Sequence, residues 1–221
     1  GSVMASKDNR KNRQRGRTRH SDSELSRNLS YVLRHSAVGL GMNVDHEGYV
    51  NIADIENHQL FQRFRPVTIE KLQHVIDVDG KQRFSMIQRG DAWFIRANQG
   101  HSGDVAAQLV DEKMLTPVSS SKDHPVCVHG TDKEAWAKIT VSGGLSRMAR
   151  KHIHMSSQHK GSKEMISGMR KRSNVMIYID IDKAIAAGIK FYLSKNQVIL
   201  SEGNDQGMIP KEFFKEVKFL E

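Results

Sequence analysis

A few short segments gather the side chains able to do chemistry. Arg34-His35 joins a permanently charged guanidinium to the one side-chain type that titrates near neutrality. IRANQGHS, residues 95–102, presents Arg96, Asn98, Gln99 and His101 around Gly100, a set able to grip a phosphate through charge-assisted bonds. In HIHMS, His152, His154 and Ser156 alternate with Ile153 and Met155, so a strand here shows two imidazoles and a hydroxyl on one face. HGT adds His129 and Thr131 flanking Gly130, where the backbone can approach a ligand. Arg83, in KQRF, stands at the start of a strand. Each has a plainer counterpart: a solvated surface for Arg34, His35 and Arg83, a polar wing tip for the 95–102 segment. The three histidines raise zinc, but neither cysteine nor carboxylate accompanies them and His129 lies 23 residues from His152, so no metal is expected. GxGxxG after a strand and GxxxxGK[ST] are both absent, so a nucleotide would have to be held in another way.

Charge narrows the class of partner. The 221 residues carry a formal +9, distributed unevenly. Residues 1–20 hold +6, residues 143–173 hold +7, and everything else sums to −4. A basic arm and one basic internal region on a mildly acidic body point to a polyanionic partner. The single cysteine, Cys127, excludes an internal disulfide framework and cysteine-rich zinc modules, and its place between Val126 and Val128 predicts a buried structural thiol. No run approaches 18 apolar residues, and no apolar segment follows the basic N-terminus. Neither a membrane span nor a secretory leader is therefore expected, and the expected location is intracellular, cytoplasmic or nuclear.

The elements that must position these residues follow from patterning. Residues 1–20 have almost no apolar content and read as a disordered basic arm, with 1–3 a cloning remnant. Asp22 or Ser23 is a candidate cap for a helix whose buried stripe is Leu25, Leu29, Val32 and Leu33, with Gly39 and Gly41 ending it. GYVNI is a short strand, and PVTIEKLQHVIDVDG a helix facing inward through Leu72, Val75 and Ile76. QRFSMIQ and AWFIRANQ make a hairpin about Arg89-Gly90-Asp91. Helices followed by a two-stranded ribbon resemble a winged helix over 21–110. Residues 111–125, with two prolines and three consecutive serines, read as a linker. From 126 to 221 strands dominate: VCVHGT, HIHMS, NVMIYIDI, KFYLS and QVILSE, with helices in DKEAWAKITVSGG and DKAIAAG, a loose basic loop after HIHMS, and IPKEFFKEVKF closing the chain. The fold class expected is α+β.

LSRNLSYVLRHSAVGLGM, GYVNI, KQRF, WFIRANQGHS, VHGT, GLSRMARKHIHMS and SEGNDQGMIPKEFF, in this order, closely resemble the RNA (tRNA) 2′-phosphotransferases. The resemblance implies an N-terminal winged-helix-like lobe that meets RNA and a C-terminal β-rich lobe related to the ADP-ribosyltransferases that holds NAD+. It implies NAD+ consumed as co-substrate, no metal, and 2′-phosphorylated RNA, foremost ligated tRNA, as partner of a monomer with no membrane association. It carries a catalytic quartet onto Arg34, His35, Arg83 and Arg150, and an NAD+ pocket onto His129, Gly130, Thr131, Gly144, Leu145, Ser156 and one or both of His152 and His154. Arg96, Asn98, Gln99, His101 and Ser102 become contacts or organisers of a cleft between lobes.

The residues fit such a reaction, since three guanidiniums can follow charge developing on phosphate oxygens and His35 can move a proton. Two alternatives stay open at this level. One is an ADP-ribosyltransferase acting on nucleic-acid ends or on protein. The other is a non-catalytic RNA-binding winged-helix protein.

Overall fold

The computed structural model describes residues 2–158 and 172–221, with 2–13, 18 and 19 described by their backbone. The basic loop expected between HIHMS and NVMIYIDI falls largely on 159–171, outside the described residues. The architecture is mixed α+β, with a helical N-terminal region and a sheet-rich C-terminal region.

Helix α1 spans Ser2–Tyr31 and passes into a π-helical turn, Val32–Ser36. Leu25, Leu29, Val32 and Leu33 are fully buried, each burial contributing about 1.5–3 kcal/mol. The backbone over 2–20, expected as a disordered arm, is helical here, and the chain runs through Asp22 and Ser23 without stopping at a cap. Propagation explains this: once 25–33 is docked, each added residue gains a hydrogen bond without a new nucleation cost. Apart from Gly16, the segment 2–20 contains neither Gly nor Pro to oppose it.

Helix α2 (Ile52–Asn57), a 3-10 segment (Gln59–Phe64) and helix α3 (Ile69–Val78) complete the helical layer. α3 starts where Thr68 Oγ1 accepts from the Lys71 amide, a side-chain cap. Strands β2 (Phe84–Arg89) and β3 (Ala92–Ala97) form the expected hairpin. A third strand, β1 (Val50–Asn51), joins the outer side of β3, giving the order β1-β3-β2.

Helix α4 (Gly103–Gln108) leads to α5 (Asp111–Met114) and β4 (Thr116–Val118). The stretch 111–125 thus departs from a plain linker. Met114 and Leu115 are buried with Leu109 against Tyr192, Val198 and Leu200, and β4 pairs with the strand Phe191–Leu193. These contacts come from residues about eighty positions away, which local composition does not encode.

The large sheet has seven strands, β12-β8-β5-β7-β10-β9-β4, with every neighbouring pair antiparallel. Its members are β5 (Val128–Thr131), β7 (Ile153–Ser156), β8 (Val175–Ile179), β9 (Phe191–Leu193), β10 (Val198–Ser201) and β12 (Phe214–Phe219). β8 is the near-continuous apolar strand expected in NVMIYIDI, and α7 (Ile181–Ala186) follows it. Helix α6 (Lys133–Ser142) ends at Gly143, whose φ of +90° favours glycine. A two-stranded ribbon pairs β6 (Gly144–Ser146) with β11 (Met208–Pro210). At Gly144 a Cβ would lie 2.4 Å from the Ile209 carbonyl oxygen, so only glycine allows that approach.

One irregularity matters for the site. β5 pairs with β8 along its whole length, but it meets β7 in register at Val128 opposite Ser156 and no further. The sheet opens there, with His129 and Thr131 on one lip and the 150–154 segment on the other. No helix among the described residues is long and apolar enough to cross a membrane.

Candidate active site

Arg34 and His35 project from the π turn, which the Ala37 amide closes onto the Val32 carbonyl at 2.8 Å. Such turns insert a residue and re-aim side chains. The Arg34 Nε donates to the Gln99 carbonyl at 3.0 Å, and His35 Nδ1 lies 2.7 Å from Ser102 Oγ. The Ser102 amide returns a bond to the Arg34 carbonyl. Gly100, between these partners, has φ +86°, and a Cβ there would sit 3.1 Å from Arg34 Nε.

The rest of the 95–102 segment is buried and serves as a mount. Arg96 lies over the Tyr49 ring and donates to the Glu47 carbonyl. Asn98 accepts from Ser85 Oγ and donates to the Gln82 carbonyl. His101 is fully enclosed, and its pKa is pushed down to about 3, by burial first and then by the Arg34 charge. Arg96, Asn98, Gln99 and His101 are thus buried behind Arg34 and His35.

Arg83 is gripped by Asp79, whose carboxylate accepts from both the Arg83 amide (2.8 Å) and Nη1 (2.7 Å). Arg150 arrives from the other half of the chain, bridged antiparallel to Ser102 with the Lys151 amide bonded to the His101 carbonyl. Its guanidinium donates to His154 Nε2. The electrostatics report the convergence: burial, then the charges of Arg150 and Arg83, lower the Arg34 pKa to about 10, with Asp79 opposing. His35 is held below the usual histidine value by burial, then by Arg34 and Arg150. Three guanidiniums converge on one place with one carboxylate among them, an arrangement completed by an anion.

The lips of the open sheet supply the neighbouring surface. His129 Nδ1 donates to the His154 carbonyl at 2.8 Å, tying β5 to β7 where their ladder stops. His154 is pushed down to about 3 by burial, then by Arg150, so it is a neutral acceptor for that arginine. His152 turns elsewhere: buried, it bonds Asp111 Oδ1 at 3.0 Å. The structure thus separates the two histidines, which sequence alone leaves equivalent. Gly130 and Thr131 run beside His129 on β5, facing Met176 and Val175 of β8. Ser156 Oγ is occupied in a local turn with Gln158, and the Leu145 side chain is buried in the C-terminal core next to Gly144.

His129, His152 and His154 do not form a ligand cluster among the described residues; the group that comes within 4.8 Å is Asp111, His152 and Glu202. There the Lys151 ammonium sits 3.2 Å from Asp111 and 2.7 Å from Glu202, filling the space between the carboxylates. Cys127 is buried beside Met155, its thiol raised by burial.

Sequence reasoning did not single out Asp79, Asp111, Lys151, Glu202 or Asn196. Asp79 stood four residues before Arg83 and could have been found as a turn carboxylate. Asn196 could not, since its Nδ2 reaches the Lys81 carbonyl (3.1 Å) across 115 positions.

A family model described as "RNA 2′-phosphotransferase, Tpt1 / KptA family" matches residues 20–203. Among similar proteins, the "tRNA 2′-phosphotransferase 1" of Danio rerio is 37% identical over 202 residues, covering 90% of this chain and 86% of the relative. That of Homo sapiens is 38% identical over 205 residues (91% and 78%). The "tRNA 2′-phosphotransferase" of Saccharomyces cerevisiae is 33% identical over 199 residues (89% and 83%).

Proposed function

From the premise that the chain belongs to the RNA 2′-phosphotransferase, Tpt1 / KptA family, we propose how its residues perform the reaction. The enzyme transfers an internal RNA 2′-phosphate to NAD+ through an RNA-2′-phospho-ADP-ribose intermediate. It yields 2′-OH RNA, nicotinamide and ADP-ribose 1″,2″-cyclic phosphate. In our reading the substrate is ligated tRNA, bound by a monomer inside the cell. Residues 21–110 act as a winged-helix-like RNA lobe, 111–125 as the connection, and 126–221 as an ADP-ribosyltransferase-like lobe for NAD+.

Arg34, Arg83 and Arg150 hold the 2′-phosphate. Burial first, and then the neighbouring charges of Arg150 and Arg83, lower the Arg34 pKa, and a dianion placed among the three guanidiniums offsets both. This is the observation that carries the reading. The phosphate arrives ionised and nicotinamide leaves as a neutral group, so the first step needs positioning more than acid–base help. The second step, attack of the ribose 2″-OH on the phosphodiester, requires a base. His35 fits: its lowered pKa leaves it neutral at pH 7, and with Nδ1–H donated to Ser102 Oγ it takes the proton at Nε2. The pocket for NAD+ is the opened sheet, with His129, Gly130, Thr131 and His154 lining it and Gly144, Leu145, His152 and Ser156 supporting it. Imidazole, hydroxyl and backbone donors beside three arginines suit a pyrophosphate and ribose hydroxyls.

The test is incubation with NAD+ and an RNA bearing one internal 2′-phosphate. Wild type should give 2′-OH RNA and the cyclic phosphate. His35→Ala and Arg150→Ala should accumulate RNA-2′-phospho-ADP-ribose. Full turnover by both variants would remove the assigned roles.

A further inference from the structure

Tyr31 is the last residue of α1, and at 58% exposure it is a large ring left outside both cores. Its neighbours Leu29, Val32 and Leu33 are fully buried, so its backbone is fixed while its ring faces solvent. The ring lies 6.4 Å from that of His35, tilted by 57°. Its hydroxyl makes no hydrogen bond among the described residues. Arg27, four residues earlier and also exposed, continues the same helix face. Arg27, Tyr31 and His35 thus form a row leading to the arginine cluster: cation, aromatic ring, imidazole.

We infer that this row is a subsite for the RNA strand, with the base of the nucleotide flanking the 2′-phosphate stacked on Tyr31 and a backbone phosphate held by Arg27. The inference rests on the reading of the arginine cluster as the 2′-phosphate site. The 6.4 Å between the Tyr31 and His35 rings sets the aromatic surface beside the phosphate site, where a flanking nucleotide would lie. Single-stranded RNA is bound by this combination of a cationic track and an aromatic ring. Stacking tolerates any base, so the subsite reads the presence of a neighbour without reading its identity.

The experiment compares wild type, Tyr31→Ala and Tyr31→Trp on three RNAs with an internal 2′-phosphate: intact, abasic at the 5′ neighbour, and abasic at the 3′ neighbour. Tyr31→Ala should raise KM for the intact RNA about tenfold. Tyr31→Trp should restore it, and KM for NAD+ should stay constant. On one abasic RNA wild type and Tyr31→Ala should become equal. Arg27→Ala should lower the slope of log KM against log salt by about 0.7. An unchanged KM in Tyr31→Ala, or an equal loss on all three RNAs, would overturn the subsite; the equal loss would mean Tyr31 acts only through His35. Failure of wild type to turn over any of the RNAs would instead reject the reading on which the subsite rests.

Discussion

The two halves of the chain deliver their arginines by different means. Arg34, His35 and Arg83 are each fixed by partners within the N-terminal half: Gln99, Ser102 and Asp79. Behind them lies a layer of buried polar residues whose hydrogen bonds leave little freedom. Arg150 is held from both halves of the chain. It is located by a single bridge to Ser102, by the Lys151 amide on the His101 carbonyl, and by His154 at the lip of the opened sheet. One half is pre-organised, and the other is registered against it along a seam. Active-site geometry then depends on two separable things: rigidity of the mount and alignment of the seam.

Asp79→Ala attacks the mount most directly. Arg83 would lose both carboxylate bonds, and misplacement of a group that must meet the phosphate should lower kcat by about 100-fold. Steady-state kinetics beside an unchanged circular dichroism spectrum would check it, with Asp79→Asn recovering part of the loss. Gly100→Ala strikes the same mount through the backbone. With φ at +86° and Arg34 Nε 3.1 Å from the new Cβ, it should cost about 1–3 kcal/mol in stability and roughly tenfold in kcat. Denaturant titration and turnover should show both; a wild-type midpoint would show that the mount is softer than described.

Asn196→Ala tests the seam, removing the bond to the Lys81 carbonyl beside Arg83. We expect about 0.5–1.5 kcal/mol of destabilisation and a several-fold fall in kcat with little change in KM. If KM rises in equal measure, alignment matters for binding and not for chemistry.

The pH dependence of stability tests the two halves without a substitution. His101 and His154 have folded-state pKa values near 3, below the ordinary 6.5, so the unfolded chain binds more protons between these values. Stability present above pH 6.5 should be lost as pH falls towards 3, by up to about 1 kcal/mol per pH unit per histidine between pH 6 and 5. Urea midpoints across that range should show the slope, and His101→Gln should reduce it.

Much of the fold was legible in local pattern. The stripe Leu25, Leu29, Val32 and Leu33 announced the docked helix, the 82–97 pattern gave the hairpin, and β8 showed itself as a continuous apolar run. What stayed hidden depended on distant partners. The 111–125 stretch looks like a linker until Tyr192 and Leu200 cover it, and GYVNI reads as a short strand without showing that it pairs with β3. Among the site residues, the types and order of Arg34, His35, Arg83 and Arg150 were visible as motifs. Of their supports, Asp79 could be read as a turn carboxylate four residues before Arg83, whereas Asn196 could not, because an amide in a polar stretch carries no mark of a distant partner.

The sequence by itself determined the family and the reaction class, since these follow from residue types in a fixed order. Only the tertiary structure decided how they are held. It set His154 against Arg150 and turned His152 onto Asp111, although both share a strand face. It gave 95–102 the part of a buried mount and opened the sheet beyond Val128. Hydrogen bonds and charge coupling fall off over a few ångströms, so these distinctions rest on distances that only the folded chain sets.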